Sequence, residues 1–543
     1  MAEPNPPRAL DVLVDGAGRL GQLSYLVPDG LDPAVGDAVE IPFGRSQRHG
    51  LVIGPSEHPE RATREILGVW GPRVRPQDLD VARAVADHYL SDLVSLVARL
   101  SPTSGRGSTP LDPGEVVLAR SVELPVSDRR RRYLLHGPLD DAPALAAAEA
   151  TRLAEGTARG QVLVLCPTVA TVEATLACFT SGAVRLDGHA PAGSWRGFAE
   201  GVARIGVGTR GAALYSAARL EGIVVLDEGH PGHDEARSPY TNARDVAVVR
   251  SRIAGCRLTL LGDDPTSSGL GGGVKVVDVE SPRWPAMRLF PRGTAGVNVV
   301  APAPLLSLVA RARRRGVVPT VVVSSHAPAQ RVCAGCGERR PCTVCETSGC
   351  RHPAGAPCPA CGGHTVRRIG WDEPRLAELL GGPVRVVSIA ELERVRDAEL
   401  VVVFDVDGLL RSPDLVPGSL CASTVVRAAR AAAAKGTVCA VTSTPDHPLL
   451  RALFDLRSGR ALAQHTWSLA RQHEAPPFGH TVRLWIGRSA RPSTTGWPGR
   501  VFGPRRVREE WEVLIHVTPE ELTALAPIVT RQRARGKVRV RVD

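Results

Sequence analysis

Seven short apolar runs, most of them rich in β-branched residues, alternate with Ala- and Leu-rich stretches between about residues 123 and 448. They are QVLVLC at 161–166, GIVVLDE at 222–228, RLTLLGD at 257–263, PTVVVSS at 319–325, VRVVS at 384–388, ELVVVFDVD at 399–407 and TVCAVTS at 437–443. None has the strict polar alternation of a strand with one wet face, and helical stretches lie between them. Runs of this kind predict parallel sheets covered by helices on both faces. Seven are too many for one small domain. The Gly- and Pro-rich stretch 263–304 interrupts the series, which gives one α/β lobe at 123–290 and a second at 291–450.

Seven of the twelve cysteines, Cys333, Cys336, Cys342, Cys345, Cys350, Cys358 and Cys361, fall within twenty-nine residues, inside the second lobe. No secretory start precedes them: the N-terminus MAEPNPPRAL lacks a cationic head followed by an apolar run. The expected location is therefore the cytoplasm, with nucleoid association, where clustered thiols are metal ligands rather than disulfides. Cys333-x2-Cys336 and Cys358-x2-Cys361 are knuckles, each able to place two thiolates on one Zn2+. Four thiolates make a closed structural site. Cys342-x2-Cys345 is a third knuckle, which needs Cys350 and a fourth ligand. His352 is the choice, with His364 and Glu346 as weaker ones. Two zinc ions per chain are expected, the second site being the one that can be incomplete, and the spacing leaves open which knuckles share an ion. Cys166, Cys178, Cys256, Cys421 and Cys439 read as small buried hydrophobes.

The flanks differ from the lobes. Residues 1–75 read as β-rich, with AVGDAVEIPFG and HGLVIG punctuated by Gly and Pro. A helical segment follows over about Asp78–Leu100, then the linker-like SPTSGRGSTPLDPG. The metal-binding insertion is placed at 331–366 and a C-terminal domain at 451–543. That domain ends in KVRVRVD, where Val538, Val540 and Val542 alternate with Lys537, Arg539 and Arg541 and so take opposite faces of a strand. The net charge is +11 with only three lysines, so the surplus is arginine, which suits an anionic partner such as nucleic acid. No run approaches the ~20 apolar residues a membrane span needs.

The order of these parts resembles the bacterial replication restart family PriA, also called primosomal protein N′. YLVPDGL, VGDAVEIPFGR and HGLVIG are similar to the family's N-terminal DNA-binding domain. VGTRGAAL, GIVVLDEGH and DVAVVRSRI resemble segments of its first lobe, DVDGLLRSPDL and TPDHPLLRAL of its second, and EAPPFGH and VRVRVD of its C-terminal domain. The resemblance implies two RecA-like helicase lobes with a zinc-binding insertion in the second. It adds a β-rich N-terminal DNA-binding domain, a degenerate winged-helix region and linker at 76–122, and a small α+β C-terminal domain. It also implies partners: forked or single-stranded DNA, primosome proteins and the replicative helicase, with no membrane.

Against that family, the catalytic parts are eroded. The phosphate-binding loop reads Gly137-Pro138-Leu139-Asp140-Asp141-Ala142-Pro143-Ala144, with Pro143 at the lysine position and Ala144 at the Ser/Thr position. A P-loop needs that lysine for the β/γ-phosphates and that hydroxyl for magnesium. Two aspartates would repel phosphate. Asp227 and Glu228 persist as vestigial Walker B residues. Gly262-Asp263-Asp264-Pro265 replaces the family's Ser-Ala-Thr motif, and Arg427 and Arg430 stand out of register with its late arginine motif. Leu23 and Ser24 precede Tyr25 where the family has the Phe-Asp pair that holds a 3′ end. The expectation is a pseudo-helicase without catalytic residues or bound nucleotide. It would bind DNA at stalled or abandoned forks, help assemble the primosome and reload the replicative helicase. Two alternatives are an ATP-dependent 3′–5′ helicase with an unconventional loop, and a protein-interaction scaffold that no longer binds DNA.

Overall fold

The computed structural model describes the chain except for residues 1–7, 16–21, 101–108, 126–129, 158, 293–300, 324–329, 337, 339, 341–356, 370, 413–415 and 488–490. The N-terminal segment forms a five-stranded antiparallel sheet in the order Gln22–Leu26, Ala9–Val14, Ser46–Pro55, Asp37–Phe43, Gly68–Pro72. Alternation puts Val12, Val39, Ile41 and Val52, all without solvent exposure, on its inner face with Tyr25 and Ile66. The stretch read as one helical segment is two helices, Pro76–His88 and Leu93–Leu100. Between them Leu90 takes a left-handed φ of 48°, which no helix interior accommodates.

The first lobe is a seven-stranded sheet in which every neighbouring pair is parallel. Its order is Ala183–Arg185, Ile205–Gly208, Gln161–Leu165, Leu220–Val225, Arg257–Gly262, Arg131–Leu135, Lys275–Asp278. The second is a five-stranded parallel sheet in the order Ala286–Pro291, Ala432–Thr442, Ala398–Val403, Thr320–Val323, Arg385–Ser388. The seven apolar runs divide three to the first sheet and four to the second. These are the two RecA-like lobes. The boundary expected at 290/291 falls inside Ala286–Pro291, which pairs along its whole length with Thr437–Thr442. The second sheet therefore begins at Ala286, its first strand hidden among the glycines and prolines of the intervening stretch.

The insertion leaves the second sheet after Thr320–Val323 as an antiparallel ribbon, Gln330–Cys333 with Val366–Ile369, and re-enters it before the helix Glu373–Leu379. The C-terminal domain is a four-stranded antiparallel sheet in the order Arg500–Val507, Glu510–Val517, His480–Gly487, Lys537–Val542, packed against the helix Pro519–Arg535. Val540 and Val542 are buried, as their alternation with arginine predicts.

One continuous apolar cluster runs through the inner helices of the N-terminal region, the first lobe and the C-terminal sheet, from Leu79 and Val85 through Leu163 and Ile223 to Val482 and Ile515. The second lobe has separate clusters, around Val401, Val425 and Leu453 on one sheet face and Leu305, Val402 and Phe404 on the other. No helix among the described residues is long and apolar enough to cross a membrane.

Candidate functional site

Asp227 and Asp263, just beyond two neighbouring strand ends of the first lobe, line the cleft between the lobes, and Gly137 follows the strand Arg131–Leu135 beside them. The loop after Arg131–Leu135 closes on itself. Asp140 Oδ2 accepts from the Gly137 backbone N–H at 2.6 Å, and Asp140 Oδ1 accepts from the Arg283 backbone N–H at 3.2 Å and from its Nε at 2.8 Å. The Arg283 backbone lies so close that a Cβ on Gly137 would meet it at 2.3 Å. Asp141 caps the helix Ala142–Glu155 by accepting from Ala144 N–H at 3.2 Å, and it pairs with Arg120. Pro143 sits in the first turn, where a missing N–H costs nothing. A P-loop spends its N–H donors and helix N-terminus on phosphate. Here two of the chain's own carboxylates take them.

Glu228 is fully buried and its oxygens are engaged. Oε1 accepts from Tyr133 Oη at 2.9 Å and Thr266 N–H at 2.7 Å; Oε2 accepts from Thr266 Oγ1 at 2.8 Å and Arg244 Nη1 at 3.2 Å. A carboxylate held by four donors has no lone pair directed at a water in the cleft.

Asp227 faces the other way, with a left-handed φ of 50°. Arg430, from the helix Ser419–Ala431 of the second lobe, donates to it through Nη2 at 2.9 Å and Nη1 at 3.2 Å. The same guanidinium binds Asp263 through Nε at 2.6 Å and through Nη2. Burial alone would raise the Asp227 carboxyl, but Arg430, with His136, His230 and His233 nearby, holds it below its ordinary value. Burial and the charge of Asp263 instead raise Asp264 to about 7. Beside them Glu393 of the second lobe lies 3.4 Å from His230 Nε2 and 3.3 Å from Arg427 Nη1. The void left among these groups is about 30 Å³, room for about one water. Sequence reasoning set Arg427 and Arg430 aside as out of register. Both reach the cleft, through contacts that span as many as 203 residues of sequence.

In the insertion, Cys333, Cys336, Cys358 and Cys361 converge, with all four sulfurs within 4.8 Å of one another. Cys333 and Cys361 Sγ are 3.5 Å apart, and Cys336 and Cys358 3.6 Å. A tetrahedron of thiolates at ~2.3 Å from one ion has edges of about 3.8 Å, so the group fits one metal ion. Backbone N–H groups of Cys336 and Gly335 point at Cys333 and lower its thiol to about 6. The ribbon fixes the first knuckle through Cys333 N–H to Glu338 O at 2.8 Å, and the second turns on Cys358 N–H to Gly363 O at 2.9 Å. The knuckles at the two ends of the insertion thus share one site. Cys342, Cys345, Cys350, His352 and Glu346 lie outside the described residues. His364 is exposed and stands apart from the four sulfurs.

Another cleft, of about 660 Å³, opens on the N-terminal sheet between Tyr25, Phe43, His58, Arg61 and Arg64. Leu23 and Ser24 line it. Sequence reasoning missed its carboxylate: Asp11, paired across the sheet with Ser24, accepts from Ser24 Oγ at 2.7 Å and Gln22 Nε2 at 3.2 Å. Hairpin register between the first two strands could have found it.

Residues 11–102 match the 3′DNA-binding domain (3′BD) of PriA, which bears out the resemblance drawn from the sequence motifs. No curated protein matches the chain. Among solved structures, the DUF1998 helicase MrfA bound to DNA and AMPPNP is 13% identical over 68% of this chain and 57% of that one, with a TM-score of 0.32. Mss116p bound to ssRNA and AMP-PNP is 9% identical over 61% and 69%, with a TM-score of 0.30. The Mycobacterium smegmatis helicase Lhr bound to ssDNA and AMP-PNP is 12% identical over 61% and 46%, with a TM-score of 0.28. The chain therefore spans little more than half the length of the MrfA chain.

Proposed function

We propose that this chain, which carries a PriA-type 3′DNA-binding domain, binds forked or single-stranded DNA at stalled or abandoned replication forks and does so without hydrolysing ATP. In this reading it helps assemble the primosome and reload the replicative helicase, working as a platform rather than a motor. The observation that carries the DNA-binding part is the match over 11–102, on a folded sheet whose cleft pairs aromatic rings and arginines with one buried carboxylate. A terminal ribose hydroxyl entering that cleft would find its acceptor in Asp11 rather than at the Ser24 position. The absence of hydrolysis is supported by the loop whose donors Asp140 occupies and by the full engagement of Glu228. The four-cysteine group holds Zn2+, the metal that four thiolates select as a closed structural site. A second ion, if its site is complete, would be held by Cys342, Cys345, Cys350 and His352, which lie outside the described residues.

Fluorescence anisotropy on forked DNA tests the reading. Binding should weaken steeply between low and high salt, as phosphate contacts by arginine require, and Asp11→Ala should weaken binding to a 3′-hydroxyl end while leaving a 3′-phosphate end unaffected. Salt-insensitive binding, or none, ends the platform reading. DNA-stimulated phosphate release that disappears in Asp227→Ala would instead make the protein an ATPase.

A further inference from the structure

Where the lobes meet at the cleft, the apolar clusters stop and ions take over. Each lobe buries its own core, and the ion pairs that cross at this face include those of Arg430 with Asp227 and Asp263, and of Glu393 with His230. Asp263 is fully buried at the end of the strand Arg257–Gly262, and both of its oxygens are taken by Arg430. Asp227, beyond the neighbouring strand Leu220–Val225, gives both of its oxygens to the same side chain. A guanidinium carries its donors in one planar fork, and all three nitrogens of this one are spent on two carboxylates of the opposite lobe.

We infer that Arg430 is a fixed strut standing in the position of a nucleotide, so that the two lobes stay closed on each other and do not open or shut in response to ATP. In a helicase the ligand between the lobes supplies the charges that draw them together, and its turnover lets them part. Here the cation belongs to one lobe and the two anions to the other, joined through the chain itself. The void among these side chains, about 30 Å³, has no room for a triphosphate while this contact is made. Arg427 and His230, meeting on Glu393, form a second and more exposed tie beside it. The inference concerns closure alone and stands whether or not DNA is bound.

Hydrogen–deuterium exchange on the full chain, paired with small-angle X-ray scattering, tests it. In the native protein the segments 222–228, 257–264 and 419–431 should be protected, and 5 mM Mg–ATP should change neither their exchange nor the radius of gyration. Arg430→Ala should raise exchange in all three segments about tenfold and enlarge the radius of gyration, with zinc content and circular dichroism unchanged. Arg430→Lys, which keeps the charge and loses the fork, should fall between the two and serves if the alanine variant does not fold. Unchanged exchange in both variants, or a native protein whose cleft segments respond to Mg–ATP, would overturn the strut.

Discussion

The four-cysteine group and the loop at 137–144 are both places where a chain offers itself to an ion, and they have gone opposite ways. Around Cys333 the backbone N–H groups of Gly335 and Cys336 face a sulfur, and the ribbon holds four such sulfurs together at the spacing one metal ion requires. Around Gly137 the N–H groups face Asp140, and the helix start is capped by Asp141. The first constellation is complete only with something added. The second is complete already. A binding site is recognised less by the donors present than by whether the protein has satisfied them itself.

The contrast should break first at the metal. Structural zinc contributes on the order of 10 kcal/mol to folding a segment of this kind, so Cys333→Ser should release the ion held by the four-cysteine group, a strong chelator should strip every ion, and either should unfold the ribbon 330–369. Metal analysis and local exchange measure both, and a ribbon that stays protected without metal would remove the distinction. Next comes Glu228. As a catalytic base it could be neutralised at little cost, but with four donors around a buried carboxylate, Glu228→Ala should destabilise the protein by about 3–5 kcal/mol. Calorimetry showing a change under 1 kcal/mol, an estimate set by the worth of one ordinary hydrogen bond, would return Glu228 to a catalytic reading.

Asp140→Ala should cost less, about 1–3 kcal/mol for the N–H groups it leaves unpaired. Combining Asp140→Gly, Pro143→Lys and Ala144→Thr should still give no phosphate release above background, since Glu228 and Arg430 remain as they are. Release from that triple variant would show that the loop alone was the defect. The smallest effect is a pH trend. Asp264 binds its proton more tightly folded, at about 7, than at its ordinary 3.8, so the folded state holds the extra proton between those values. Its contribution therefore falls as pH rises through that window and levels off above 7. Asp264→Asn should raise the melting temperature at pH 8 by a few degrees relative to the native protein, and the difference should vanish near pH 4. A constant difference across that range would mean that Asp264 does not titrate there.

Much of this architecture was legible in the residues. All seven apolar runs became strands of the two sheets, because a strand covered on both faces shows its burial in its composition. The strands that escaped notice were short or carried misleading residues. Arg131–Leu135 opens on two arginines, Ile205–Gly208 is half glycine, and Lys275–Asp278 begins and ends on charge. The outer knuckles were legible for a local reason, since two sulfurs three residues apart already form half a site. Which knuckle joined which was not, because that depends on the ribbon pairing Cys333 with Val366. The cleft was legible only by subtraction. Pro143 and Ala144 can be read off the loop, but the groups that meet its carboxylates and those of the cleft come from Arg283 and Arg430, which only the fold brings there.

The grip of Tyr133, Thr266 and Arg244 on Glu228 has a consequence for descent. Any substitution that freed Glu228 for other work would first take donors from a buried carboxylate and weaken the protein. If the chain is the non-hydrolysing platform proposed above, that cost stands in the way of each single step toward a motor.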